Sequence, residues 1–277
     1  RNDAELSHKA VRKFDIPDFV NRADRAFAGN TLSCLIILSR AYRFVFSHAN
    51  PTKICQHMFF LGTHKHSVPG VHMVPYPTFF RARVAYPLPL TNDRPCFVAF
   101  GSARSPSNVM LHRKAPFLLS KQAQKFKLRD YLLANLASSS KSEAVCITVH
   151  KGFSLQRLYD SMLHSVFCLQ PPGDSPVRRG FYDSLLLGCI PVIFDSTAYA
   201  PFSLLGLNVS TVAITIPSGK VLEGLDVAQA LRRVSSVHVA ALQTNIQAVR
   251  YSMQYSAFHD EHDDAFGNIL QLLKKLP

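Results

Sequence analysis

From about Val145 onward the chain alternates short apolar runs with stretches of helical periodicity. Val145-Cys146-Ile147-Thr148-Val149 has the length and β-branched character of a covered parallel strand. Phe153 to His164 follows, with Leu155, Leu158, Tyr159 and Met162 spaced along one helix face. Val166-Phe167-Cys168-Leu169 predicts a second strand, ended by Pro171-Pro172-Gly173. A helix is expected from about Pro176 to Leu187, with Gly188 where a helix-terminating glycine belongs. Ile190 to Phe194 and Val212 to Ile216 predict two more strands. Leu225 to Val234, Val237 to about Met253 and Asp263 to Leu273 carry the spacing of helices. This alternation predicts an α/β, doubly wound sheet with right-handed crossovers.

The first half has less rhythm. Ser33 to Leu38, Arg43 to Ser47, Met58 to Leu61 and Cys96 to Phe100 read as strands, and Lys121 to Leu136 as a helix. Pro69 to Pro89, rich in proline and aromatics, reads as an extended connection. Ser138-Ser139-Ser140 suits a link between halves. The expected organisation is therefore two α/β lobes with a cleft between them. Residues 1–140 form an abbreviated N-terminal lobe, divergent before about 70, and residues 141–277 a C-terminal lobe. No internal repeat is visible.

Composition narrows the class. The 277 residues are 47% hydrophobic and 18% charged, as in a globular chain with a real core. No apolar run reaches the length of a membrane span, and Leu35-Ile36-Ile37-Leu38 suits a buried strand instead. A formal charge of +13 favours anionic partners, among them phosphorylated small molecules, acidic polysaccharide and nucleic acid. The basic residues are scattered, with only pairs such as Arg113-Lys114, Arg232-Arg233 and Lys274-Lys275, so nucleic-acid binding is the remote alternative. Six cysteines (Cys34, Cys55, Cys96, Cys146, Cys168, Cys189) form no C-x-x-C pair, against a zinc or redox motif. Cys146, Cys168 and Cys189 sit in apolar surroundings and are expected to be free and buried. Asn208-Val209-Ser210 is a glycosylation acceptor sequence.

The chemistry concentrates between Phe167 and Phe194. Ser175 is an N-cap type and Pro176 fits a first helical position. Gly173 permits a tight turn after the strand and leaves room for a ligand. The N–H groups and dipole of the helix start favour an anion. Arg178 and Arg179 can grip a diphosphate bidentately and stabilise charge on a departing nucleotide. Asp183, four residues after Arg179, shares its face and can accept hydrogen bonds from sugar hydroxyls. The bland alternative is an ordinary helix with an Arg179–Asp183 surface pair.

Leu169-Gln-Pro-Pro-Gly-Asp-Ser175, Arg178-Arg179, Tyr182-Asp183-Ser184 and Gly188-Cys-Ile-Pro-Val192 together resemble the C-terminal signature of the exostosin-like glycosyltransferases. They are most similar to the plant branch containing xyloglucan galactosyltransferases. Val74-Pro75-Tyr76-Pro77-Thr78-Phe79, Phe100-Gly101-Ser102-Ala103-Arg104, Thr211 to Pro217 and Asp263-Asp264-Ala265-Phe266 resemble further motifs of that branch, in the same order. Where the branch carries a tryptophan-containing first-lobe segment, this chain has Met58-Phe59-Phe60-Leu61-Gly62-Thr63-His64 and no tryptophan. The resemblance implies a GT-B fold of two Rossmann-like lobes, with the donor in the C-terminal one. It also implies a UDP-sugar donor, no cofactor, inversion at the anomeric carbon, and the luminal part of an anchored Golgi protein. The expected reaction moves a sugar, galactose first, to a polysaccharide or glycan hydroxyl; the alternative is a non-catalytic descendant that binds sugar nucleotide or glycan. By motif position Arg179 meets the diphosphate and Asp183 the donor hydroxyls, while Gly101 and Arg104 line the cleft from the opposite side. With Gly173, Asp174, Ser175 and Arg178 these make up the expected donor site.

An inverting transferase needs a base for the acceptor hydroxyl. His64, His66 and Asp93 are possible by location, and none is singled out. His64-Lys65-His66 with His72 lacks carboxylate or cysteine partners at ligand spacing, so no metal site is expected there. His259-Asp260-Glu261-His262-Asp263-Asp264 reads as acidic residues favoured by a helix start.

Overall fold

The computed structural model describes residues 33–38, 57–62, 71–73, 75, 78, 88, 93–101, 128–136, 154–173, 177–199, 207–255 and 264–274. Two wholly parallel sheets are found among them. In the first, β1 (Ser33–Leu38), β2 (His57–Gly62) and β3 (Val71–Met73) pair in that order. The second has β4 (Cys96–Ala99), β5 (Ser165–Gln170), β6 (Ile190–Ile193) and β7 (Ile214–Thr215). Its register runs Ala99↔Cys168, Cys168↔Pro191 and Val192↔Ile214. The order follows the chain, so the strand-order reversal expected of a doubly wound sheet is not seen among the described strands. Val71–Met73 falls in the stretch expected to be a mere connection. The strands expected at Val145–Val149 and Arg43–Ser47 lie outside the described residues.

Helices cover the second sheet on both faces, for a reason legible in side-chain alternation. Val98 of β4 and Phe100 just after it enter one core with Phe167 and Leu169 of β5. The intervening Ala99 and Cys168 point to the opposite core. Leu128, Leu132 and Leu136 of α1 (residues 128–136) recur every fourth residue and fill the first core. Tyr159 and Met162 of α2 (Leu155–Leu163) fill the second. Every residue of β6 is buried, as a strand covered on both faces must be.

α1 and β4 both precede residue 141, yet they belong to this C-terminal sheet and its core. The structure therefore draws residues 93–101 and 128–136 across the boundary expected at 140, because β5 needs a hydrogen-bonded neighbour on each side.

Two further differences from the sequence reading matter below. The helix of the candidate site, α3 (Arg179–Leu186), starts at Arg179 with Arg178 as its N-cap, not at Pro176. Arg178 has extended backbone, φ −125° and ψ 148°, so helical geometry cannot begin earlier. Second, Cys168 and Cys189 are joined in a disulfide with a Cα separation of 5.8 Å. They are not the free thiols expected from their apolar surroundings. Cys189 immediately precedes β6, two residues before Pro191, the register partner of Cys168, so both sulfurs fall on one face of the sheet, and a disulfide is itself apolar enough to sit in a core. Cys96 is also disulfide-bonded, and no described cysteine is free.

The remaining described α-helices are α4 (Ser218–Leu222), α5 (Val227–Arg232), α6 (Ser236–Val249) and α7 (Ala265–Lys274). Asp226 and Ser235 accept hydrogen bonds from the Gln229 and His238 N–H groups and so cap α5 and α6. Ser154 does the same for α2 through the Arg157 N–H. No described helix is long and apolar enough to cross a membrane.

Candidate functional site

β5, α3 and β6 form one strand–helix–strand unit, and the Pro171-to-Arg178 connection emerges at the carboxyl end of β5, where open α/β sheets bind ligands. The unit is locked along its length. At the start of α3, Gln170 donates from Nε2 to Ser184 Oγ at 2.9 Å, and Ser184 donates to the Gly180 carbonyl at 2.6 Å. A Cβ on Gly180 would run into Gln170 Oε1, so glycine lets the strand end and the helix approach this closely.

The C-terminal end of α3 is closed more firmly. Cys189 N–H bonds the Ser184 carbonyl at 2.9 Å and Gly188 N–H the Leu185 carbonyl at 3.1 Å. These are the paired bonds of a Schellman ending, with Gly188 in the left-handed region at φ +68°. Arg94 donates to the Leu187 carbonyl at 3.0 Å and, through Nη1, to the carbonyls of Met162, Leu163 and Ser165. One buried guanidinium thus seals the C-termini of α2 and α3, where helix dipoles favour a cation. Burial draws its pKa down to about 10, so it stays charged. Arg250, wholly buried, reaches the Leu186 carbonyl at 3.4 Å.

The other end of α3 has no side-chain cap. Arg178 donates from Nη1 to the Pro171 carbonyl at 3.1 Å, bracing the connection. Arg179 donates from Nε to Asp183 Oδ2 at 3.2 Å, and Tyr159 donates to Asp183 Oδ1 at 3.5 Å. The Arg179 side chain is 26% exposed and that of Asp183 0%. Burial pushes the Asp183 carboxyl up to about 6, against the pull of the Arg179 guanidinium beside it.

These facts place the sequence-predicted residues. Gly173, Arg178, Arg179 and Asp183 are brought together at one end of one unit. Asp183 is buried, with Arg179 on one oxygen and Tyr159 on the other, and so holds the Arg179 guanidinium in place. Gly101 lies two residues after the end of β4, and a hypothetical Cβ there would be 2.6 Å from Leu158 Cδ1 on α2. Asp174, Ser175 and Arg104 lie outside the described residues. So do the candidate bases His64 and His66; Asp93 is described and exposed. Among the described residues no His, Cys, Asp and Glu side chains cluster to hold a metal.

One residue was missed. Arg129, on α1, lies so close to the Gly173 turn that a Cβ there would sit 2.8 Å from its Nη2 and 3.5 Å from Arg178 Nε. The only signal in the sequence was its place beside the Leu128–Leu132–Leu136 stripe, which fixes how α1 faces the sheet. Sequence distance concealed the rest.

The Exostosin GT47 domain matches residues 36–232 of this chain. A xyloglucan-specific galacturonosyltransferase of Arabidopsis thaliana is 77% identical over 31 residues, 11% of this chain and 5% of that protein. A xyloglucan galactosyltransferase of Arabidopsis thaliana is 31% identical over 121 residues, 43% and 19% of the two chains. A probable xyloglucan galactosyltransferase from the same plant is 32% identical over 143 residues, 47% of this chain and 26% of its own. The matched stretches thus span 5% to 26% of these relatives' lengths. A solved structure, the glycosyltransferase SnogD from Streptomyces nogalater, covers 86% of this chain and 60% of its own at 13% identity and a TM-score of 0.38, a likeness too loose to inform the fold. The domain match covers about 70% of the chain, taking in the second half of β1, β2, β3, the whole second sheet and the whole β5–α3–β6 unit, and on that footing the chain belongs to the exostosin GT47 family.

Proposed function

We propose that this chain holds the sugar-nucleotide site of an inverting glycosyltransferase, which moves galactose or a related sugar from a UDP-sugar to a polysaccharide or glycan hydroxyl. The observation that carries the reading is the pair Arg178–Arg179 at the uncapped start of α3, at the carboxyl end of β5. In the reaction the acceptor hydroxyl forms a bond to the anomeric carbon from the face opposite the nucleotide. The bond to the UDP oxygen breaks, UDP leaves with the electron pair, and a base takes the acceptor's proton. Negative charge grows on the diphosphate, and fixed cations stabilise it most when they need no reorganisation. Arg179, aimed by a buried carboxylate, and Arg178, braced on the Pro171 carbonyl, meet that requirement.

The match of the Exostosin domain and the plant relatives' names support glycosyl transfer, with GT-B as the corresponding architecture. The disulfides suit an oxidising compartment, and with the plant relatives favour the Golgi lumen.

Titration calorimetry with UDP and several UDP-sugars, on the wild type and Arg179→Ala, tests the reading. Binding at micromolar to low-millimolar strength, reduced about tenfold or more in the variant, is the expected result for loss of a charged hydrogen bond. The tightest UDP-sugar then names the reaction to assay for turnover. A folded sample that binds neither UDP nor any UDP-sugar would overturn it.

A further inference from the structure

We infer that Asn208 is an N-glycosylation site, its side-chain amide carrying an oligosaccharide in the folded protein, an assignment that rests on the oxidising-compartment reading above and not on the donor site. Asn208-Val209-Ser210 has the acceptor pattern of asparagine, any residue but proline, then serine or threonine. Asn50 is the only other asparagine followed two residues later by serine or threonine, and Pro51 disqualifies it.

A matching triplet keeps a glycan only where the finished fold leaves room for one. Asn208, Ser210 and Thr211 are all exposed. They lie in and beside a single helical turn, Val209–Thr211, capped by the Asn208 side chain. Asn208 Oδ1 accepts from the Ser210 N–H at 3.1 Å and from Ser210 Oγ at 2.8 Å. Both bonds use the amide oxygen. The amide nitrogen, the atom that takes the sugar, donates no hydrogen bond among the described residues. A glycan on Nδ2 leaves Oδ1 in place, so the cap survives the modification. The turn is held from behind, since Asn245 of α6 donates to the Thr211 carbonyl at 3.0 Å and Leu207 and Val212 on either side are buried.

The position in the sheet also suits a bulky attachment. β7 runs parallel to β6, and the turn leads into its amino end. The donor site is proposed at the carboxyl end of β5, with β6 standing between β5 and β7. A hydrated oligosaccharide on Asn208 is therefore carried at the opposite end of the sheet from the donor site. The buried Cys168–Cys189 bond belongs to the same oxidising route on which asparagine-linked glycans are added. In that step Nδ2 forms a bond to the anomeric carbon of the first sugar of a lipid-diphosphate-linked oligosaccharide supplied by the cell. The bond from that carbon to the lipid diphosphate breaks, the diphosphate leaves with the electron pair, and the amide gives up one of its two protons.

The full chain is produced behind a cleavable secretory leader in eukaryotic cells as wild type, Asn208→Gln, Val209→Pro and Ser210→Thr. Each is compared before and after peptide N-glycosidase, and the peptide holding residue 208 is mapped by mass. Wild type and Ser210→Thr should migrate faster after the enzyme, with Asn208 converted to aspartate, whereas Asn208→Gln and Val209→Pro should show no shift. Val209→Pro is the sharper control. Proline suits the first residue of a helical turn, and the extended Asn208 backbone (φ −88°, ψ 109°) accepts a proline after it, yet the acceptor pattern is destroyed. Non-reducing peptide mapping of the same wild-type sample reads the Cys168–Cys189 bond. A disulfide-linked wild type with bare Asn208 overturns the site and leaves the compartment reading standing, and a shift that survives in Asn208→Gln overturns it too. Bare Asn208 together with free Cys168 and Cys189 overturns both. Should a variant fail to be secreted, the wild-type peptide map alone decides.

Discussion

Replacing the Cys168–Cys189 disulfide by Cys168→Ala/Cys189→Ala should cost about 3 kcal/mol of stability through the unfolded chain alone. The magnitude follows from the 21-residue separation, since loop-closure entropy grows with the logarithm of loop length and a loop of this size is worth about 3 kcal/mol at room temperature. Both cysteines are fully buried among Ala99, Tyr159, Met162, Leu186 and Leu187. Alanine therefore avoids burying a hydroxyl but leaves a small void, which adds about 1 kcal/mol. Mutation is a cleaner perturbation than a reducing agent, which would also attack the bond at Cys96. The chain has no tryptophan, so unfolding in urea is best followed by far-UV circular dichroism. The two single variants provide an internal control. Either one alone opens the loop, so the second substitution should add little beyond its own void. If the double variant lies within about 1 kcal/mol of the wild type, or the single losses simply add, the loop argument is wrong. Recovery of unlinked Cys168 and Cys189 peptides from a non-reducing digest would remove its premise.

Gly188→Ala should destabilise by about 2 kcal/mol, part from a left-handed alanine and part from the displaced Arg94 guanidinium, whose Nη2 would lie 2.8 Å from the new Cβ. Urea unfolding reads the loss, and a change under about 0.5 kcal/mol would mean that the helix ending is not as tight as it is drawn here. Asp183 gives a pH signature. Its carboxyl stands at about 6 in the folded chain against an ordinary 3.8, so between these values the folded state holds a proton that the unfolded state has released. Its contribution to stability is complete below the lower value and is lost as pH rises through the upper one, with a slope of about 1 kcal/mol per pH unit in that window. Relative to Asp183→Asn, wild-type stability should fall by that slope from about pH 4 to 6, and parallel curves for the two would refute the assignment.

The elements whose signal is local were legible in the sequence. Ile190 to Phe194 was fixed by its unbroken apolar run, and Gly188 by its place after a helical stripe. Arg179 and Asp183 were read from their spacing as one helix face, which the 3.2 Å ion pair reproduces. Quantities that depend on depth were not legible. Spacing could not show that Asp183 is buried with Tyr159 on its second oxygen, so that its carboxylate supports Arg179 from inside the core. The disulfide was hidden for the same reason, because apolar neighbours surround a buried thiol and a buried disulfide alike. Arg129 and the membership of β4 depend on contacts between residues more than 40 positions apart, which no periodicity carries. The helix start was misjudged because Ser175 and Pro176 are good initiators taken singly, while the extended backbone of Arg178 delays the first helical residue to Arg179.

The buried guanidinium of Arg94 has a consequence for how the chain can be cut. It seals the ends of two helices that begin sixty and more residues later, and β4 beside it occupies one flank of β5. A clone, splice form or proteolytic product that starts at residue 141 would keep every residue of α3 yet lose that seal and bare a strand edge. Such a fragment should be recovered as aggregate. The smallest heritable piece able to keep the β5–α3–β6 unit folded begins ahead of Arg94, so a shuffled or truncated gene that looks complete by motif would still be missing its keystone.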